Sequence, residues 1–273
     1  MPRIFNWAAQ PCNRRSTVAS LKDSKGIHGA FAQVTAETEV EARAAEEAGI
    51  ELLICRAANV RAVRAGAPTN FITAALGFAN AITDEEILRT AFAALVDGAD
   101  AVLTGRRLEI VSLLAAEDIP VVGHLGFVPR KSTWVGQVRP VGKTADEALD
   151  LYHKFRRLED AGAFAVEAEL VPARLMAEIG LRSGLVTISL GSGPAAEVAF
   201  LFMSDICGET EIVPRHARKY GDIASLNCQI VVERIRALTE FRQDVAKSNF
   251  PAMAETAALT SSELDIFLRN IDE

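Results

Sequence analysis

The chain is expected to fold as an α/β protein: a (β/α)8 TIM barrel with additional C-terminal helices. Three observations predict this. Its 273 residues suit one such barrel, a domain that commonly needs about 250. Hydrophobic residues make up 49% of the chain and aromatics only 6%, which favours helices packed on a sheet over a β-sandwich. Short β-branched runs alternate with capped helical segments, giving about eight strands. A doubly wound sheet is the runner-up, but no G-x-G-x-x-G follows the first strand.

The elements follow in order. Residues 1–25 read as an arm, in which Ser16 to Leu21 form a short helix placed to plug the barrel bottom. Ile27 to Val34 alternates as a strand, and Thr38 then opens a helix over Glu39 to Ala48, closed by Gly49. Ile50 to Cys55 is the second strand and stops at Arg56. Phe71 to Ala74 is a strand, and Thr83-Asp84-Glu85-Glu86 is a capped helix start with acidic residues in its first turn. Ala99 to Leu103 is a strand leading to Gly105-Arg106-Arg107 and a further helix. Residues 119–122 form a buried strand that runs into a glycine-bounded loop, Gly123-His124-Leu125-Gly126. Residues 125–143 are a long loop with Trp134, Arg130, Lys131 and Arg139; a lid, an oligomer contact and a solvated excursion all fit it. Thr144 opens a helix to Gly162, Ala163 to Ala168 is a strand reaching Glu169, and Pro172 starts the next helix. Leu185 to Leu190 is a strand meeting Gly191-Ser192-Gly193-Pro194, and Val198 to Met203 is the last apolar stretch. From Pro214 onward the pattern is helical. The chain therefore reads as one barrel domain over 1–273, with a helical extension over 214–273.

Composition narrows the function classes. A net charge of −7 argues against a nucleic-acid surface, while leaving room for arginines that gather on a small anion. No apolar run reaches the roughly 18 residues of a membrane span, and the N-terminus lacks the apolar core of a secretory signal. A cytoplasmic protein is the expectation. Cys12, Cys55, Cys207 and Cys228 are far apart and form no C-x-x-C pair, so reduced thiols are expected and a zinc site is not.

Barrel chemistry sits at the C-terminal ends of strands. His124 lies at one such end, where a structural and a catalytic role are both open. Glu169 lies at another and is a candidate base if burial raises its pKa; Glu167, two residues earlier on the same face, shares that candidacy. Ser192, between glycines that expose backbone N–H groups, marks an anion site. Arg56, Arg106 and Arg107 are candidates for holding a carboxylate, against the plainer reading of solvent-facing arginines.

The runs GHLGFVP, VGKTADEA, EDAGAFAVEAELVP, ISLGSGP, SDICG and PRHARKYGDI resemble the ketopantoate hydroxymethyltransferase family, in that family's order and spacing, over roughly residues 16 to 255. The resemblance implies a (β/α)8 barrel of the phosphoenolpyruvate mutase/isocitrate lyase superfamily and a homo-oligomer. It implies transfer of a one-carbon unit from methylenetetrahydrofolate to the enolate of a branched 2-oxo acid, a small-molecule carboxylate. Magnesium holds that acid, and a glutamate takes its C3 proton. The glutamate's motif lands on Glu169 and the GHLG histidine on His124.

The metal motifs depart from the family. Its G-D-S-L-G aspartate falls on Ala57, its A-D-L-P-F aspartate on Ala75 within Ala74-Ala75-Leu76-Gly77-Phe78, and its K-L-E-G-G carboxylate on Gly105. Magnesium needs oxygen ligands, and alanine and glycine side chains supply none. The expectation is therefore that no metal is required and that Arg56, Arg106 and Arg107 replace its charge, which in general is worth several kcal/mol at an enolate. Three readings remain: a C–C bond-forming or -cleaving enzyme with Glu169 as base, a non-catalytic barrel that binds small anions, and a metal enzyme with another ligand set drawn from His124, Glu169 and Glu37.

Overall fold

A computed structural model of the chain describes residues 4–77, 79 and 81–271. Phe78 of the second metal motif lies outside them. Eight parallel strands close a barrel: β3 (Phe31–Thr35), β4 (Leu52–Arg56), β5 (Phe71–Ala75), β6 (Ala101–Thr104), β7 (Val121–Gly126), β8 (Ala165–Glu169), β9 (Val186–Leu190) and β10 (Val198–Leu201), with β10 pairing back onto β3. Before them, β1 (Ile4–Phe5) and β2 (Pro11–Cys12) form a small antiparallel hairpin. The helices are α1 (Val18–Asp23), α2 (Glu39–Glu47), α3 (Val60–Gly66), α4 (Asp84–Val96), α5 (Leu108–Ala116), α6 (Ser132–Val135), α7 (Ala145–Asp160), α8 (Ala173–Gly180), α9 (Met203–Cys207), α10 (Ile223–Ala246) and α11 (Ser261–Ile271).

Strand periodicity builds the core. Alternate residues such as Leu52, Ile54, Phe71, Leu103, Val122, Ile188 and Phe200 point inward and fill the barrel. Their neighbours, Leu53, Ile72, Val102, Val121 and Val166, pack outward against Val63, Leu95, Ile110 and Phe155 of the helices. Leu21 of α1 enters the inner cluster. The helix starts are set locally: Thr38, Thr83 and Thr144 each accept the N–H of the third residue on, and the first two complete reciprocal capping boxes.

The opposite end is fastened by ion pairs. Asp100 accepts from Arg14 and from Arg64, each at 2.7 Å. Glu197 holds Lys25 at 3.1 Å together with the N–H groups of Gly26 and Thr187. These lie at the strand starts, where a barrel invests in stability.

Two differences from the sequence pattern matter for the site. Gly123 to Gly126 is strand, not loop: β7 runs on through His124 to Gly126. The boundary after the barrel also falls elsewhere. One compact unit runs to Cys207 and takes in 212–220, and a second comprises 208–211 and the residues from Gly221 on. Residues 214–220 stay with the barrel because the Tyr220 N–H bonds to the Ile206 carbonyl and the His216 side chain packs on Gly191. The second unit contains α10 and α11, whose Ile230, Ile235, Leu238 and Phe267 are exposed. Among the described residues, no helix is long and apolar enough to cross a membrane.

Candidate active site

The site is built on the ends of β7 and β8. These strands pair in register, His124 opposite Glu167 and Gly126 opposite Glu169. Packing requires Gly126, and Gly123 leaves the space that Leu158 fills. A Cβ on Gly123 would meet Leu158 of α7 at 2.3 Å. Gly126 has a φ of +86°, and a Cβ there would lie 2.2 Å from the Glu169 carbonyl oxygen. That close approach lets the Phe127 N–H bond to the Glu169 carbonyl at 2.8 Å, locking the two strand ends together.

Period-two alternation then turns His124, Glu167 and Glu169 to one face. His124 Nε2 lies 3.0 Å from Glu169 Oε2 and 3.7 Å from Glu167 Oε1. All three side chains are largely buried, and among the described residues Glu167 Oε2 has no hydrogen-bond partner. Burial alone would lower the His124 pKa, but the Glu169 hydrogen bond, the two carboxylate charges and a backbone bond to Phe127 outweigh it and raise it. Burial, reinforced by the Glu169 charge and opposed by His124, pushes Glu167 up to about 7. Two carboxylates therefore flank one imidazole, and the deeper of them favours its neutral form.

Ser192 has another task than anion binding. It is fully buried, its hydroxyl donates to the Ala168 carbonyl at 2.7 Å and accepts the Val171 N–H at 2.9 Å, and its own N–H bonds to Ser189. It clamps the turn that follows Glu169, where Leu170 has a positive φ of 51°.

The arginines divide. Arg106 donates to the carbonyls of Ala81 and Ile82, and Arg107 to Asp84, so both guanidiniums fasten the start of α4 and are not joined to His124 and Glu169. Arg56 ends β4, exposed, with its nearest carboxylate Glu37 at 3.8 Å. Glu37 is held by the Asn59 side chain at 2.6 Å. A guanidinium does reach Gly105, but it is that of Arg130, which donates to the Gly105 carbonyl at 2.6 Å from the loop after β7. Nothing local in the sequence marks that contact, because it joins residues 25 apart.

The donor set at the family's magnesium positions does not fit that ion. Ala57 starts the short 3-10 turn after β4, Ala75 ends β5 and Gly105 follows β6; none carries a side-chain oxygen. The group of described His, Cys, Asp and Glu side chains with metal-ligand spacing is instead His124, Glu167 and Glu169. Beside this site a cavity of about 720 Å³ is lined by Leu170 and Gly191 and by the cationic Arg139, Lys143 and Arg215, which sequence reasoning had not assigned to a site.

Comparison with known proteins agrees with these motifs. The sequence model of the family described as ketopantoate hydroxymethyltransferase matches residues 54–253. The 3-methyl-2-oxobutanoate hydroxymethyltransferase of Pyrobaculum neutrophilum is 30% identical over 258 residues, covering 85% of this chain and 96% of its own. That of Chloroflexus aggregans is 29% identical over 285 residues, covering 95% and 99%. The fold is shared with 2,3-dimethylmalate lyase, a PEP mutase/isocitrate lyase superfamily member, at a TM-score of 0.52 and 13% identity, covering 84% of this chain and 89% of that one. With a match over most of its length and a barrel of the expected kind, the chain belongs to the ketopantoate hydroxymethyltransferase family.

Proposed function

We propose that the protein enolises a small 2-oxo acid and forms or cleaves a C–C bond beside the oxo group, without the family's usual magnesium shell. The observation that carries this reading is the buried His124–Glu169 pair, 3.0 Å apart at the ends of two adjacent barrel strands. Glu169 takes the C3 proton and becomes a neutral carboxylic acid. His124, whose raised pKa favours the imidazolium, holds Glu169 in place and faces the negative charge that develops on the enolate. Arg56 supplies a guanidinium at the mouth for the substrate carboxylate. Arg106 and Arg107 contribute less directly, by fastening the segment before α4.

Family membership supports 3-methyl-2-oxobutanoate as substrate and methylenetetrahydrofolate as one-carbon donor. A metal-independent aldol or retro-aldol reaction on another oxo acid uses the same base. A second reading, a non-catalytic barrel that binds a small anion, is favoured by one observation: alanine and glycine stand at the three metal positions. A homo-oligomer is supported by the exposed apolar side chains of α10.

The test is exchange of the C3 proton of 3-methyl-2-oxobutanoate in D2O, followed by NMR, with chelator and with magnesium. Exchange that persists in chelator and falls at least about 100-fold in Glu169→Gln supports the proposal. Exchange that requires magnesium, or survives Glu169→Gln, overturns it. No exchange in either condition, with the oxo acid still bound, selects the non-catalytic reading.

A further inference from the structure

We infer that His124, Glu167 and Glu169 bind one divalent first-row transition-metal ion, with a donor set distinct from Ala57, Ala75 and Gly105 at the family's magnesium positions. The donor geometry carries this. The three residues each offer one ligand atom, and these atoms all lie within 4.8 Å of one another. Two ligands at about 2.1 Å from a tetrahedral ion are separated by about 3.4 Å. The observed separations from His124 Nε2, 3.0 Å to Glu169 and 3.7 Å to Glu167, straddle that value.

A second observation points to a ligand. Glu167 is only 5% exposed, yet among the described residues its Oε2 has no hydrogen-bond partner. A buried polar atom left in that state is costly, and an ion bound by the Glu167 carboxylate would offset that cost. The charges also match, because two carboxylates and a neutral imidazole balance a dication. One nitrogen and two oxygens select zinc, cobalt, iron or manganese over magnesium, which takes oxygen ligands and keeps its waters. Three protein ligands leave a coordination position for water or a small anion.

Binding releases the protons shared among these groups, since His124 must ligate as the neutral ring and both glutamates as carboxylates. It also occupies the Glu169 oxygen that serves as base. The ion and substrate deprotonation therefore compete. The metal site stands on the donor geometry alone; the competition rests on the enolisation reading.

The experiment uses the full chain stripped with chelator. Cobalt is titrated with visible absorption as the readout, and zinc is titrated in competition with a chromophoric chelator. One equivalent per chain is expected. Affinity is expected to fall at least about 100-fold in Glu167→Gln and in His124→Gln, and to stay unchanged in Cys228→Ser, which removes an exposed thiol. Two ligand variants are used so that a folding failure in one leaves the test intact. Absence of binding, or binding unaltered in both ligand variants, overturns the inference. Zinc is then added to the C3 exchange assay. Suppression of exchange by one equivalent supports the competition, and exchange undiminished with the site filled overturns it. One bound ion in a protein that exchanges no proton with or without chelator leaves the metal site standing and removes the enolisation reading alone.

Discussion

The contact between Gly126 and Glu169 decides whether the two carboxylate-bearing strand ends are held as a unit, and Gly126→Ala tests it. The added Cβ would lie 2.2 Å from the Glu169 carbonyl oxygen and 2.9 Å from Val171 Cγ2. Relief requires the Glu169 backbone to withdraw by about 1 Å, because non-bonded carbons settle at about 3.5 Å or beyond. That movement strains the Phe127 N–H bond to Glu169, worth about 1 kcal/mol. Alanine at a φ of +86° adds about 1–2 kcal/mol, and crowding in a packed site a further 1–3 kcal/mol or so. The expected loss is about 3–6 kcal/mol. Gly49→Ala is the internal standard: its φ is +83°, and a Cβ there meets nothing within 4 Å, so it pays only the conformational term of about 1–2 kcal/mol. Urea unfolding of both variants, followed by circular dichroism, gives the comparison. A Gly126→Ala protein within about 1 kcal/mol of Gly49→Ala would refute the reasoning, since the two then differ by no steric cost. The same displacement is expected to slow C3 exchange by about 100-fold.

Two further outcomes follow from the same geometry. Ser192→Ala strands the Val171 N–H inside the protein and removes the hydroxyl's bond to the Ala168 carbonyl, so thermal unfolding should show a loss of about 1–3 kcal/mol; an unchanged midpoint would mean that the hydroxyl clamps nothing. Glu197 gives a pH test. Burial opposes its ionisation, but hydrogen bonds from Thr187 and Gly26 and the Lys25 charge prevail and lower its pKa. A lowered folded-state pKa contributes stability above the ordinary carboxylate value, and that contribution is lost as pH falls through the folded value. The parent should therefore exceed Glu197→Gln by about 1.5–3 kcal/mol at pH 7, with the gap closing toward pH 3, and a gap that widens in acid would contradict the assignment.

The barrel was legible because its signals are local. Thr38, Thr83 and Thr144 announce their helices within four residues, and the inward and outward faces follow from strand alternation. What was missed depends on contacts far away in sequence. Gly123 reads as a loop residue until Leu158 is seen pressing on it, and so β7 was ended too early. Helix α3 follows Asn59, which makes no side-chain capping bond, so no start signal precedes it. In the site, His124 and the two glutamates were readable from strand period and motif. The tasks of Ser192, Arg106 and Arg107 were not, since their partners lie 21 to 25 residues away on other elements. Arg130 was noted only as part of a basic loop, although it is the arginine that reaches Gly105.

The distribution of charge along the barrel supports the chemistry proposed for its mouth. At the strand starts, the half-buried Asp100 is matched by Arg14 and Arg64, and the buried Glu197 by Lys25. At the strand ends, β4 to β6 present alanine and glycine at the family's metal positions, while β7 and β8 gather one histidine and two glutamates within ligand distance. A barrel needing only stability would do better with an apolar side chain at 167, because a buried carboxylate with an unpartnered oxygen costs about 1–3 kcal/mol. Such a cost, located where barrels perform chemistry and shared by groups of raised pKa, supports the proposed enolisation over the non-catalytic reading. It also sets the proposed chemistry apart from the metal-centred arrangement: its base and its histidine stand on β7 and β8, whose pairing through Gly126 fixes the only such group of ligating side chains among the described residues.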